Sequence, residues 1–311
     1  MLFRSFFPLL FFVLQTYSQK RFRDEVFSNI DSVVNLEYGS ALNIKGEEES
    51  LLLDVITPKD DTMKYRPLLI FIHGGGFQNN SKNGSYSSMV CNSFAKRGYV
   101  TATIDYRLGV EKSGIGADGK KDKTNGDYAN ALYRAQQDGK AAIRYFRKNA
   151  EKYGIDTSQI FITGSSAGSK TCLAIAYMDE KDVPLEVDRT KWGNLEGNSG
   201  NPGYSSKVNG VMNAWGAIID FHWIEKGDVP LFNTAGTEDK TVPYDSSYDY
   251  HGFKYGPYIL YQHCLSLGIP TGWRPFYGTG HTLDNNKQKQ DSYVQSMAAW
   301  LYTILKINKG K

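Results

Sequence analysis

The run Pro67-Leu68-Leu69-Ile70-Phe71-Ile72 carries no polar side chain at odd or even positions. A strand with one face in water alternates polar and apolar residues; this one must be covered on both faces, which places it in the middle of a sheet between two layers of helices. The rest of the chain supplies those layers. β-prone runs occur at 51–56 (closed by Thr57-Pro58, with a partner over 34–41), 99–104, 159–163, 208–214, 229–235 and 272–277. Between them lie helix-forming stretches at 85–97, 128–153, 171–178, 256–267 and 287–307, the longest with an apolar stripe of Ala131, Ala135, Ala142, Ile143 and Phe146. Strands alternating with helices predict an α/β fold, a mostly parallel central sheet with helices on both faces. With 311 residues, 41% of them hydrophobic, and no internal repeat, a single domain over 19–311 with a sizeable core is expected. Residues 19–35 read as a loose or helical lead-in and 106–126 as a loop. Residues 179–207 read as a long structural connection on the far side of the sheet, tied down by Trp192 and Tyr204.

The first 18 residues have a different character. Arg4, then an apolar core from Phe6 to Leu14, then the small residues Thr16 and Ser18 form the layout of a secretory signal peptide cleaved after Ser18. Nine apolar residues are too few to span a bilayer, which takes about 20, so no membrane anchor is expected after cleavage, and a secreted or periplasmic location is. A net charge of +3 without basic blocks gives no reason to expect nucleic acid as a partner. Cys91, Cys172 and Cys264 each lie in an apolar context. They read as buried thiols, with one disulfide and a leftover cysteine as the alternative. No spacing suggests a metal, Asp118, Asp122 and Asp127 included, and no cofactor is expected.

Open α/β sheets place their sites at the carboxyl ends of the strands. Four loops leave such ends: 73–84, 164–168, 236–255 and 278–285. In the third position of Gly164-Ser165-Ser166-Ala167-Gly168, a Gly-x-Ser-x-Gly turn between a strand and a helix, Ser166 is the candidate nucleophile. A serine hydroxyl needs a base to take its proton. His281, after Gly278-Thr279-Gly280, is the candidate base; His73, His222, His251 and His263 are less well placed. Asp239 is the candidate that orients the imidazole, ahead of its neighbour Glu238. His73-Gly74-Gly75-Gly76 follows the apolar strand, and the amides of Gly75, Gly76 and Ala167 are candidate donors to an oxyanion.

In the order Ser166, Asp239, His281, with stretches 73–77, Asp105-Tyr106-Arg107-Leu108-Gly109, 164–168, 236–244 and Gly280-His281, the chain resembles the α/β-hydrolase superfamily. It is similar to secreted bacterial carboxylesterases and lipases with a His-Gly-Gly-Gly turn. The segment Thr237-Glu238-Asp239-Lys240-Thr241-Val242-Pro243 is nearer to dienelactone-hydrolase-like and feruloyl or acetylxylan esterase relatives, and no N-terminal helical cap is evident. The resemblance implies an α/β-hydrolase fold and a serine carboxylic-ester hydrolase acting through an acyl-enzyme, without a cofactor, on a small-molecule or polymer-linked ester. A serine peptidase or amidase on the same fold, or a binding protein that keeps the fold, are the alternatives.

Loops at the same edge should shape the pocket. Phe77, Trp215, His222, Trp223 and Tyr244 are the candidate substrate contacts, forming an aromatic-walled cleft for an aromatic acyl group or a sugar; core packing and surface tyrosines are the plainer reading. The charged run 111–127 either rims this cleft or is solvated loop.

Overall fold

The computed structural model describes residues 20–110, 114–115, 121–122, 125–249, 252–283 and 285–309. The expected signal peptide 1–18, most of the run 111–127 with Asp118, and His251 lie outside the described residues.

Eight strands form the main sheet: β1 (Ile30–Leu42), β2 (Glu48–Pro58), β3 (Arg66–Ile72), β4 (Val100–Ile104), β5 (Ile155–Ser165), β6 (Gly210–Ala214), β7 (Leu231–Gly236) and β8 (Thr271–Phe276). Their spatial order is β1-β2-β4-β3-β5-β6-β7-β8. β2 runs antiparallel to both its neighbours, and every pairing from β4 to β8 is parallel. All seven residues of β3 are buried. Its alternation divides them between two cores. Leu68, Ile70 and Ile72 pack with Ala131 and Phe146 of α2 (Asn125–Lys148), Leu173 of α3 (Ala167–Tyr177) and Leu260 of α4 (Pro257–Leu267). Leu69 and Phe71 pack with Val90 and Phe94 of α1 (Ser85–Lys96) and Tyr293, Met297 and Leu301 of α5 (Lys287–Lys309). The doubly covered sheet expected from residues 67–72 is therefore present.

Three local expectations change. β1 starts at Ile30 inside the expected lead-in, because it pairs with β2 back to Pro58 through register shifts that break its polar alternation, leaving Val33 and Val34 exposed. A small antiparallel hairpin, Ser246–Asp249 with Gly252–Tyr255, stands where only loop was expected. The connection 179–207 lies along α2. Gln136 Nε2 donates to Leu195 O (2.7 Å), Gln137 Nε2 to Trp192 O (2.8 Å) and Arg144 Nη1 to Glu196 O (3.0 Å). Trp192 is buried as expected, but Tyr204 is 44% exposed, and the α2 side chains hold the connection instead. Burial works to raise the pKa of Glu196, but Lys140, Ser206 and Arg144 outweigh it and hold the carboxyl below its ordinary range.

The Asp105–Gly109 stretch has a structural use. Arg107 and Asp138 are buried together, with Nη2–Oδ1 at 2.8 Å, while the Arg107 amide (2.9 Å) and Ser199 Oγ (2.7 Å) also donate to the carboxylate. This ties the loop after β4 to α2 and to the connection. Cys91, Cys172 and Cys264 are buried free thiols.

Candidate active site

Ser166 lies between the last residue of β5 and the first of α3, at φ 52° and ψ −118°. A side-chain-bearing residue is strained there and stays only when its surroundings hold it. Its amide donates to Ala214 O (2.9 Å) and its carbonyl accepts from Lys170 N (3.0 Å). The flanking glycines make room for the end of β3. A Cβ on Gly168 would lie 2.0 Å from Ile72 O, and one on Gly164 2.6 Å from the Gly168 carbonyl carbon.

The candidate acid and base arrive on loops after β7 and β8. Gly236 permits the two loops to touch, since a Cβ there would sit 2.2 Å from both Thr279 O and Gly280 O. Glu238 N then donates to Thr279 O at 3.0 Å. The result is a continuous chain of contacts: Asp239 Oδ2 to His281 Nδ1 at 2.8 Å, and His281 Nε2 to Ser166 Oγ at 2.9 Å. Asp239 Oδ1 accepts from the amides of Thr241 (2.8 Å) and Val242 (2.9 Å), and its side chain is 1% exposed. An ionised carboxylate only accepts, so Nδ1 carries the proton and Nε2 faces the serine hydroxyl as an acceptor. Glu238 is exposed and does not make this contact.

Opposite Ser166, Gly75 (φ 121°) and Gly76 (φ 62°) turn the chain after β3. The amides of Gly75, Gly76 and Ala167 have no acceptor among the described residues. His73 braces this turn: its Nδ1 contacts Gly74 O (2.6 Å), its ring stacks on Tyr106 at 4.4 Å, and its carbonyl accepts from the Tyr106 hydroxyl (3.0 Å). Burial keeps the His73 imidazole below its usual pKa.

A cavity of about 720 Å³ opens in front of Ser166 and His281. Of the five expected substrate contacts only Trp215 lines it. Phe77 is fully buried, edge-on to Tyr106 and Tyr128, because its apolar ring is drawn under the turn rather than over it. His222 is exposed and paired with Asp220 (2.8 Å). Tyr244 stacks on Tyr258 and borders a separate surface hollow. Trp223 lines an apolar annex of about 210 Å³ with Leu132, Ile218 and Phe253. The annex and the main cavity share Tyr128, Lys170 and Lys254. Pro184 and Glu186 also line the annex, so the connection 179–207 reaches the site's edge and is not confined to the far side.

Sequence reasoning missed Tyr86, Tyr128, Lys170, Lys240 and Lys254 as cavity residues. Lys170 had a signal, its position four residues after Ser166 on one helix face. Lys254 had none, because the hairpin that delivers it was not foreseen. Among the described residues no group of three or more His, Cys, Asp or Glu is placed to hold a metal ion.

Known proteins resemble this chain in sequence and in fold. The chain is 34% identical over 122 residues to gut esterase 1 of Caenorhabditis elegans, a match covering 39% of this chain and 20% of that protein. It is 31% identical over 144 residues to esterase E4 of Myzus persicae, covering 44% of this chain and 24% of that protein. The matched segment thus spans under a quarter of either relative. In three dimensions the chain superposes on Thermogutta terrifontis esterase 2 with a TM-score of 0.62 at 20% identity, over 89% of this chain and 94% of the other, which shows a common α/β-hydrolase fold. The sequence model of the Carboxylesterase family matches residues 16–180, more than half of the chain and the segment that carries the His-Gly-Gly-Gly turn and Ser166; the protein belongs to the carboxylesterase family.

Proposed function

We propose that this chain is a secreted serine carboxylic-ester hydrolase, with a catalytic domain over 19–311 behind a signal peptide at 1–18. The observation that carries the reading is the 2.9 Å contact between His281 Nε2 and Ser166 Oγ, continued to Asp239. In this mechanism the ester carbonyl oxygen points to the amides of Gly75, Gly76 and Ala167. Ser166 Oγ attacks the carbonyl carbon as His281 takes its proton. The tetrahedral intermediate collapses, and His281 returns the proton to the departing alcohol oxygen. A water molecule, deprotonated by His281, then releases the acid and restores Ser166. Asp239 keeps the imidazole in the required tautomer and balances its transient positive charge.

Tyr86, Tyr128 and Trp215 on the cavity wall support an ester with an aromatic or sugar-linked group. The secreted location rests on the layout of residues 1–18, a charge at Arg4, an apolar core and small residues before Gln19. The relative from Thermogutta is described as phosphoramylated by tabun, which motivates the test. Wild type should hydrolyse p-nitrophenyl acetate and be labelled by a fluorophosphonate probe. Ser166→Ala should lose the label and at least about 10³-fold in kcat. Wild-type turnover in Ser166→Ala, or labelling elsewhere than Ser166, would overturn the reading. A matched amide run in parallel separates esterase from amidase.

A further inference from the structure

We propose that the site selects esters that carry a negative charge, and that Lys170 and Lys254 read that charge; this rests on the esterase reading above. Three lysines, Lys170, Lys240 and Lys254, line the cavity in front of Ser166, and its lining contains no Asp or Glu among the described residues. Two of the three are themselves buried, Lys170 at 7% and Lys254 at 6% exposure. Charges so placed act through protein more than through water, and a concave wall of one sign concentrates the opposite sign in front of it.

Each lysine is held by the fold. Lys170 lies one helical turn beyond the nucleophile, its amide bonded to Ser166 O (3.0 Å). Its ammonium sits 3.2 Å from the Tyr128 hydroxyl and 5.1 Å from the centre of that ring. Lys254 belongs to the Gly252–Tyr255 strand. That hairpin is pinned to the segment after β6 by reciprocal amide bonds between Tyr255 and Ile218, at 2.8 and 3.1 Å. Both lysines keep further contacts within the chain.

The same two lysines stand where the main cavity meets the apolar annex. A substrate with an apolar portion in the annex and an anionic group at its neck satisfies both surfaces. Among the described residues the annex has one carboxylate, Glu186, and it is exposed to solvent. The plainer role for the lysines is to cover apolar surface with their stems, in which case the ammonium charge has no effect on turnover.

The test compares charged and neutral esters of matched size. On the acyl side these are mono-4-nitrophenyl glutarate and 4-nitrophenyl pentanoate; on the alcohol side, 4-acetoxybenzoate and phenyl acetate. The expected result is a kcat/KM ratio favouring the anionic member of at least one pair by roughly tenfold or more at low salt, shrinking as sodium chloride is raised toward 0.5 M. Lys170→Gln and Lys254→Gln should each lower that ratio, and Lys254→Arg should restore it. Equal or inverted ratios in both pairs, or a ratio that neither salt nor either glutamine variant changes, would overturn the proposal. Loss of turnover of all four esters by wild type, with no fluorophosphonate label on Ser166, would instead sink the esterase reading itself.

Discussion

One methyl group at position 168 would undo the turn that presents Ser166. The Cβ of an alanine would meet Ile72 O at 2.0 Å, a backbone atom that cannot move aside without opening the sheet. Gly168→Ala is therefore expected to destabilise the protein by about 3 kcal/mol or more, read as a lowered urea midpoint, with activity falling in parallel. Asp239→Asn should act differently. It keeps the packing but offers a donor to His281, favouring the wrong tautomer, so kcat should drop by about 10³–10⁴-fold with the urea midpoint nearly unchanged. His73 predicts a pH effect. Burial lowers its pKa in the folded chain, so the unfolded chain takes up the proton first. Its contribution to stability is complete above the unfolded value of about 6.5 and is lost as pH falls from there through the folded value. Stability measured between pH 7.5 and 5.5 should decline more steeply in wild type than in His73→Gln; equal slopes would show that His73 is not the group responsible. These residue-scale features were largely readable in advance. Glycines at 75, 76, 164 and 168 stand where a side chain is excluded or the backbone turns to positive φ, and such demands leave a local trace.

Elements are held in register by contacts that leave no such trace. The Arg107–Asp138 pair, with Ser199 bonded to the same carboxylate, joins three segments far apart in sequence. Removing Asp138 strands a buried guanidinium, so Asp138→Ala should cost about 3–5 kcal/mol, whereas the exposed pair of Lys287 with Asp291 should cost under about 1 kcal/mol. Comparing the two variants by chemical denaturation tests the ranking. The central strands and the long helices were legible because a strand covered on both faces is apolar along its whole length and a helix repeats its apolar stripe. The hairpin at 246–255 was not. Its two strands pair only four residues each, too few for a pattern to stand out, and its position depends on the bond from Tyr255 to Ile218.

At the scale of the whole molecule the three cysteines report on integrity. Burial pushes the Cys91 and Cys264 thiols up to about 12, and the Cys172 thiol well above its ordinary value. Native protein should accordingly show no thiol reactive to Ellman's reagent at pH 8, and protein unfolded in guanidinium should show three per chain. Fewer than three on unfolding would reveal a disulfide.

The contrast between what was legible and what was not follows from range. By itself the sequence determined the doubly covered sheet, since residues 67–72 tolerate water on neither face, and the candidate nucleophile, acid and base, since each sits beside a turn at the end of its own strand. Tertiary structure alone decided what surrounds them. It sent Phe77 inward, turned His222 and Tyr244 away, and brought Tyr86, Tyr128, Lys170 and Lys254 to the cavity wall. A strand end constrains its own neighbours through a few bond lengths of backbone. A cavity wall is assembled from loops and helices whose meeting depends on every element packed between them.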